Sequence, residues 1–307
     1  MRVIRSSLVA IAAAAGVVLA AGCVPADEAL PLGGAQFNVS ARGSARVLGD
    51  DVFIDDWSVR IDRFLLSFKT MTIVNLQDDE QCAYRGRGGP ANVVFDGANG
   101  TLMQSFNGLK PGDCPDVGMR LRPPDNLTTL GEGATTADLV DLASGRPAHA
   151  LLEATATRKA ELPFRPEAQT VRLRLRFDTE RTSAGFGGCR DAIRGARIRP
   201  EARYNVAVSI AAEALFRDAI SSSARLQFEP FAAADRNGDE DGLITMDELD
   251  RVSLVEIRSR YGPFYQLPTG SSRGTFGDFV RAQFMFSLRY GNGGLCNGIN
   301  PGEEDDD

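Results

Sequence analysis

Val171-Arg172-Leu173-Arg174-Leu175-Arg176-Phe177 puts an apolar residue at every second position and an arginine between each pair. A period of two sends the apolar side chains to one face of an extended chain and the guanidinium groups to the other, which a helix of about 3.6 residues per turn cannot do. The stretch therefore reads as a half-buried strand. Its arginines have the spacing of an anion-binding ladder, but polar residues on a solvated strand face need no ligand to explain them.

Working outward, the same alternation recurs at Phe37/Val39/Ala41, Trp57/Val59/Ile61, Phe64/Leu66/Phe68, Val117/Met119/Leu121 and Tyr204/Val206/Val208/Ile210. Short strands separated by Gly, Pro and Asp turns predict a mainly β fold, an antiparallel β-sandwich over 37–218. The apolar parity changes across Asp62-Arg63, which predicts a bulge or a strand that passes between sheets. Thr135-Thr136-Ala137-Asp138 opens a short helix with a cap-like threonine and an early acid. Trp57 and the phenylalanines read as core or sheet edge.

From Ala219 the period changes. A C-terminal helical segment is expected over 219–296, with one helix from Met246 to Tyr261 and an amphipathic one from Thr275 to Tyr290, where Phe276, Phe279, Val280, Gln283 and Phe284 fall at spacings of three and four. Gly291-Asn292-Gly293-Gly294 ends that helix, and an acidic tail, 297–307, closes the chain. The tail reads as solvated and disordered.

Within the helical segment, Asp235-Arg236-Asn237-Gly238-Asp239-Glu240-Asp241-Gly242-Leu243-Ile244-Thr245-Met246-Asp247-Glu248 repeats oxygen-bearing side chains at alternate positions, then a turn glycine, a buried apolar pin and a glutamate. This is an EF-hand-like calcium loop. Calcium takes about 6–8 oxygens at roughly 2.3–2.6 Å, supplied by alternate side chains, a backbone carbonyl after the glycine and a closing carboxylate. Counting from Asn237, the ligands are Asn237, Asp239, Asp241, the Leu243 carbonyl, Thr245 through water, and Glu248. A register that begins at Asp235 matches the incoming helix better and makes the loop two residues longer. A solvated Asp/Gly turn explains the acids, but demands neither Ile244 nor Glu248. No second loop of this pattern accompanies it, so an unpaired structural clip is expected rather than a sensor.

Met1-Arg2-Val3-Ile4-Arg5, the apolar run Leu8 to Ala21 and Leu19-Ala20-Ala21-Gly22-Cys23 read as a signal peptide over 1–22. The ending resembles the bacterial lipobox, which implies lipidation of Cys23 and, with Val24 and Pro25 following, an outer-membrane lipoprotein facing the periplasm or the surface. A tether, 23–36, follows. Cys82, Cys114, Cys189 and Cys296 remain, an even set in an oxidising compartment. Cys82–Cys114 with Cys189–Cys296 is the favoured pairing, the others staying open. No C-x-x-C pair exists and His149 is the only histidine, so a zinc site is excluded. Losing Arg2 and Arg5 with the signal peptide takes the formal charge from −7 to −9, a poor match for nucleic acid. The membrane, through the lipid anchor, and an envelope protein of unknown identity are the expected partners.

Catalysis finds no constellation. Gly270-Ser271-Ser272-Arg273-Gly274 matches G-x-S-x-G formally, yet no strand precedes it and His149 lies upstream rather than downstream. Asp55-Asp56 and Asp78-Asp79-Glu80 sit at turn-like positions, and His149 alternates with Leu151 on an expected strand.

Asp56-Trp57-Ser58-Val59-Arg60-Ile61-Asp62-Arg63-Phe64-Leu65, Gly133-Ala134-Thr135-Thr136-Ala137-Asp138, and the calcium-like loop followed by a helix and Gly294-Leu295-Cys296 together resemble elements of uncharacterised bacterial lipoproteins of the myxobacterial type. The strand region is distantly similar to MbnP-type periplasmic copper-associated proteins, which implies a β-sandwich and an alternative role in copper handling or as a redox partner. The single histidine departs from such a copper site. The expectation is a non-enzymatic, lipid-anchored envelope protein that binds one calcium ion.

Overall fold

Trp57–Val74 runs without interruption through the centre of the larger sheet, and the rest of the fold is arranged around it. The computed structural model describes residues 35–42, 46–74, 84–85, 93–96, 101–109, 112–114, 116–160, 167–178, 185–189, 196–198, 203–221, 223–268, 274–290, 294–295 and 297–299. Side chains are described for 46–68, 121–160, 167–178, 211–221, 223–268 and 274–287. The signal peptide, Cys23, Cys82, Cys296, Ser271 and Ser272 lie outside the described residues.

In chain order the strands are β1 (Ala35–Arg42), β2 (Val47–Leu48), β3 (Trp57–Val74), β4 (Tyr84–Arg85), β5 (Val93–Asp96), β6 (Thr101–Leu109), β7 (Gly112–Cys114), β8 (Asp116–Leu121) and β9 (Thr129–Leu130). After helix α1 (Thr136–Ala143) come β10 (Ala148–Arg158), β11 (Gln169–Asp178), β12 (Gly185–Cys189), β13 (Ala196–Ile198) and β14 (Arg203–Ile210). The remainder is a 3-10 turn (Ala212–Phe216), α2 (Glu229–Arg236), β15 (Leu243–Thr245), α3 (Met246–Arg251), α4 (Leu254–Tyr261), α5 (Phe276–Ser287) and the short strands β16 (Leu288–Tyr290), β17 (Gly294–Leu295) and β18 (Asn297–Ile299).

Every alternating stretch of the sequence forms a strand, but the architecture is mixed rather than a purely antiparallel, mainly β one. One sheet has the order β17-β16-β14-β1-β6, in which β1 and β14 are parallel. The larger has the path β15-β11-β10-β3-β8-β12-β18, in which β15 is parallel to β11. Alternation identifies a strand and its buried face; it carries no information about the direction of the neighbour, so the antiparallel expectation fails at these pairs. The parity change at Asp62 is a bulge: Ile61 faces Ala154 and Arg63 faces Glu153, and β3 stays in one sheet.

Helices take much of the role expected of a second sheet. Where side chains are described, the face of β3, β10 and β11 bearing Val59, Ile61, Leu152, Leu173 and Leu175 shares one apolar cluster with Phe228, Phe231, Leu249, Ile257, Phe276 and Phe284 from α2–α5 and their approach. The helical segment is thus part of the same core as the strands. Each of these side chains contributes about 1.5–3 kcal/mol by leaving water. The opposite face meets α1 through Leu65, Leu142, Ala148 and Leu151. There Arg174 Nη2 donates to both Asp141 oxygens at 2.7 Å and Arg176 Nη1 to Asp141 Oδ1 at 2.8 Å, so part of the arginine face is spent in seating α1.

Three boundaries differ from expectation. The helix from Met246 breaks after Arg251, because Ser253 pairs with Thr275 while the Phe276 amide donates to Val252 O at 2.9 Å, docking the start of α5 into the break. The amphipathic helix ends at Ser287, and Leu288–Tyr290 becomes a strand on β14. Asn297–Ile299, expected to begin the tail, pairs with β12. Among the described residues no helix is long and apolar enough to cross a membrane.

Candidate metal centre

Helix α2 delivers the first acid. Its sequence, Glu-Pro-Phe-Ala-Ala-Ala-Asp-Arg, starts with a proline that suits the first turn and continues with alanines, the best helix formers. Its preceding residue, Phe228, has no side chain that could accept the orphan amides. Asp55, from the turn before β3, does so: Oδ2 accepts from the amides of Phe228 at 2.8 Å and Glu229 at 2.6 Å. Burial pushes the Asp55 carboxyl up, opposed by these amides. Glu229 in turn accepts from Trp57 Nε1 at 3.0 Å and from Arg158 Nη1 at 2.6 Å, and pairs with Arg236. The helix therefore enters the loop at a fixed angle, with Phe231, Ala232 and Ala234 in the core.

At the end of α2 the buried carboxylate of Asp235 faces the exposed ones of Asp239 and Asp241, with one oxygen of each within 4.8 Å of the others. Asp235, the first residue of the longer register, is thus one of the three acids that the structure brings together. Asp235 also organises the backbone: its carbonyl accepts from Gly238 at 2.9 Å and Glu240 at 3.2 Å, and its Oδ1 from the amide of Gly242 at 3.1 Å. Asp241 Oδ1 accepts from the Leu243 amide at 2.7 Å. Glu240 and Gly242 have φ of 57° and 76°, so the extra length is absorbed by two left-handed residues. Glycine suits the second; Glu240 gives no sequence signal of the first. Asn237 is exposed at the C-cap of α2, its amide donating to Ala233 O.

The closing glutamate is divided between two tasks. Glu248 Oε2 accepts from Thr245 N at 2.7 Å and from Thr245 Oγ1 at 3.0 Å, a capping box that starts α3. Oε1 is buried and has no hydrogen-bond partner among the described residues. It lies where a Cβ on Gly238 would come within 2.6 Å of it, so the glycine opens a cradle for this oxygen. Burial first, then the carboxylates of Asp239 and Asp235, hold the Glu248 carboxyl above its ordinary range; burial raises Asp235 too, against the Gly242 amide and with Asp241, Asp239 and Glu240 adding to the rise. Asp235, Asp239 and Asp241 form a group that could hold a metal ion; Glu248, with its buried Oε1, is not a member of that group.

Ile244 is fully buried and Leu243–Thr245 lies parallel to β11, with Arg172 opposite Leu243, Leu173 opposite Ile244 and Arg174 opposite Thr245. The Arg172 amide donates to Gly242 O at 2.9 Å. The backbone groups of the loop's exit are satisfied by the sheet edge.

The other sequence candidates are dispersed. His149 sits in β10 where the register with β11 slips, between Ala148 and Ala150, fully buried with its ring 5.8 Å from Phe284. Neither ring nitrogen has a hydrogen-bond partner among the described residues, and burial, with the charge of Arg122 adding to it, pushes its pKa down to about 3. Cys114 lies in β7 opposite Ala196, and Cys189 in β12 opposite Val117; Asn297, which follows Cys296, is opposite Gly187, two residues before Cys189.

Compared with known protein families, characterised proteins and solved structures, the chain finds no match.

Proposed function

We propose that this is a lipid-anchored, non-enzymatic protein of the bacterial cell envelope that binds one calcium ion in the 235–248 loop, as a structural or interaction module on a β-sandwich-like body. The observation that carries the reading is the group of Asp235, Asp239 and Asp241, with one oxygen of each within 4.8 Å of the others, supported by Glu248, whose buried Oε1 has no hydrogen-bond partner among the described residues and which stands at the position where a calcium loop places its closing ligand. Asp235, Asn237, Asp239, Asp241, the Leu243 carbonyl, Thr245 and Glu248 are the proposed ligand set. An unpaired loop facing extracellular calcium needs a Kd of only about 10⁻⁴–10⁻³ M. Cys23 carries the lipid, and Cys82–Cys114 with Cys189–Cys296 is the proposed disulfide pairing. The copper-handling alternative rests on His149, which is sealed under Phe284 and belongs to no metal-holding group among the described residues.

Titration of calcium into the chelator-treated chain by isothermal calorimetry tests the reading, with the Asp239→Ala/Glu248→Gln double variant as control. One site, lost in the variant, is the expected result. Absence of heat and of any thermal shift at several millimolar calcium would reduce the loop to an acidic turn.

A further inference from the structure

The loop has no second loop to lean on; it leans on β11. We propose that cation occupancy is coupled to the edge of the larger sheet, so that binding at the 235–248 loop tightens the β15–β11 ladder and, through it, the seating of α1. This inference rests on the metal-binding reading above.

Two routes connect the acids to the sheet, the first through hydrogen bonds and the second through a hydrogen bond and the strand register. In the first, Asp235 Oδ1 accepts from the Gly242 amide at 3.1 Å, and the carbonyl of the same residue accepts from the Arg172 amide at 2.9 Å. One peptide-length segment thus joins a proposed ligand to β11. In the second, Glu248 Oε2 holds Thr245, and Thr245 lies opposite Arg174, whose guanidinium clamps both oxygens of Asp141 on α1. Arg176, two residues on, donates to Asp141 and to the carbonyls of Ser144 and Arg146 where α1 ends.

The loop also has a reason to change when filled. Without a cation, Asp235, Asp239 and Asp241 repel one another across 4.8 Å or less, which opposes the closed turn that presents Gly242 O to Arg172. A cation removes that opposition, so the filled and empty loops differ in how firmly β15 is held. Coupling of this kind is reciprocal: whatever the cation adds to the ladder, the ladder adds to the affinity for the cation.

Arg172 allows a clean test. Its amide points to β15 and not to β10, so Arg172→Pro deletes a donor used only by the loop, at a cost in stability because β11 is paired on both sides; amide exchange in the unaltered chain tests the coupling even where this variant does not fold. We expect Arg172→Pro to weaken calcium binding about tenfold, within the usual span of coupling between sites, while Arg172→Ala, which keeps the amide, binds as the parent does. Independently of either variant, amide exchange at Arg172 and Arg174 in the full chain should slow about tenfold on saturation with calcium. Normal calcium binding with unchanged exchange at these amides would overturn the coupling and leave the metal site standing. Absence of calcium binding by the parent chain would remove both.

Discussion

Asp55 caps a helix that begins 174 positions later: its Oδ2 accepts the amide of Glu229 at 2.6 Å, and α2 starts there because of it. Removing the acceptor exposes two orphan amides in a part-buried setting. Asp55→Ala should therefore destabilise the fold by about 1–2 kcal/mol in urea unfolding, with Asp55→Asn recovering part of the loss because its oxygen still accepts.

Gly238→Ala would place a methyl group 2.6 Å from Glu248 Oε1 and 3.1 Å from Ala234 O. The carboxylate is the mobile partner and would be pushed out of the loop. Calcium affinity should drop by about tenfold or more, as expected when one charged ligand of a calcium site is displaced, in a calorimetric titration against the parent.

Ile244 is fully buried beside β11, so Ile244→Ala should cost about 2–5 kcal/mol of stability. Because the same residue pins the loop to the sheet, the variant should also bind calcium more weakly. A core substitution away from the loop, Phe284→Ala, is expected to cost about 3–5 kcal/mol through its stack on Phe177 at 4.3 Å, with calcium affinity unchanged. Chemical denaturation alongside calorimetry separates the two.

The burial of His149 predicts a response to acid. Its pKa of about 3 in the folded protein lies below the value of about 6.5 expected in the unfolded chain. Between those values the unfolded state holds the extra proton, so stability is full above pH 6.5 and falls as pH drops towards 3, by at most about 1.4 kcal/mol per pH unit. His149→Leu should flatten that slope in unfolding measured at successive pH values; an unchanged slope would place the acid sensitivity elsewhere.

How much of this was legible in the sequence follows from the range of each signal. Period two exposed β3 and β11 with their buried faces, the parity change at Asp62 gave the bulge, and the Thr135–Asp138 pair gave the start of α1. The grouping of Asp235, Asp239 and Asp241 was readable because their spacing is local. What sequence reasoning could not reach is carried by partners far apart in the chain: the parallel run of β1 beside β14, Asp55 on α2, and Arg172 holding Gly242. The break of the helix at Val252 belongs to the same class, since the segment Met246 to Tyr261 is a good helix by pattern and is interrupted only because Thr275 returns to pair with Ser253. The register of the loop was ambiguous for a different reason: Glu240 adopts a left-handed conformation that its residue type does not announce.

β11 has ten residues, and β15 pairs with only Arg172–Arg174 of them on the side away from β10. Long strands with one unpaired flank are templates on which another molecule can add a strand, and natural sheets shield them with charge or a short covering segment. Here β15 covers Arg172–Arg174. A chain whose loop is pulled open would add these three residues to the stretch of β11 on which a neighbouring chain could lay a strand.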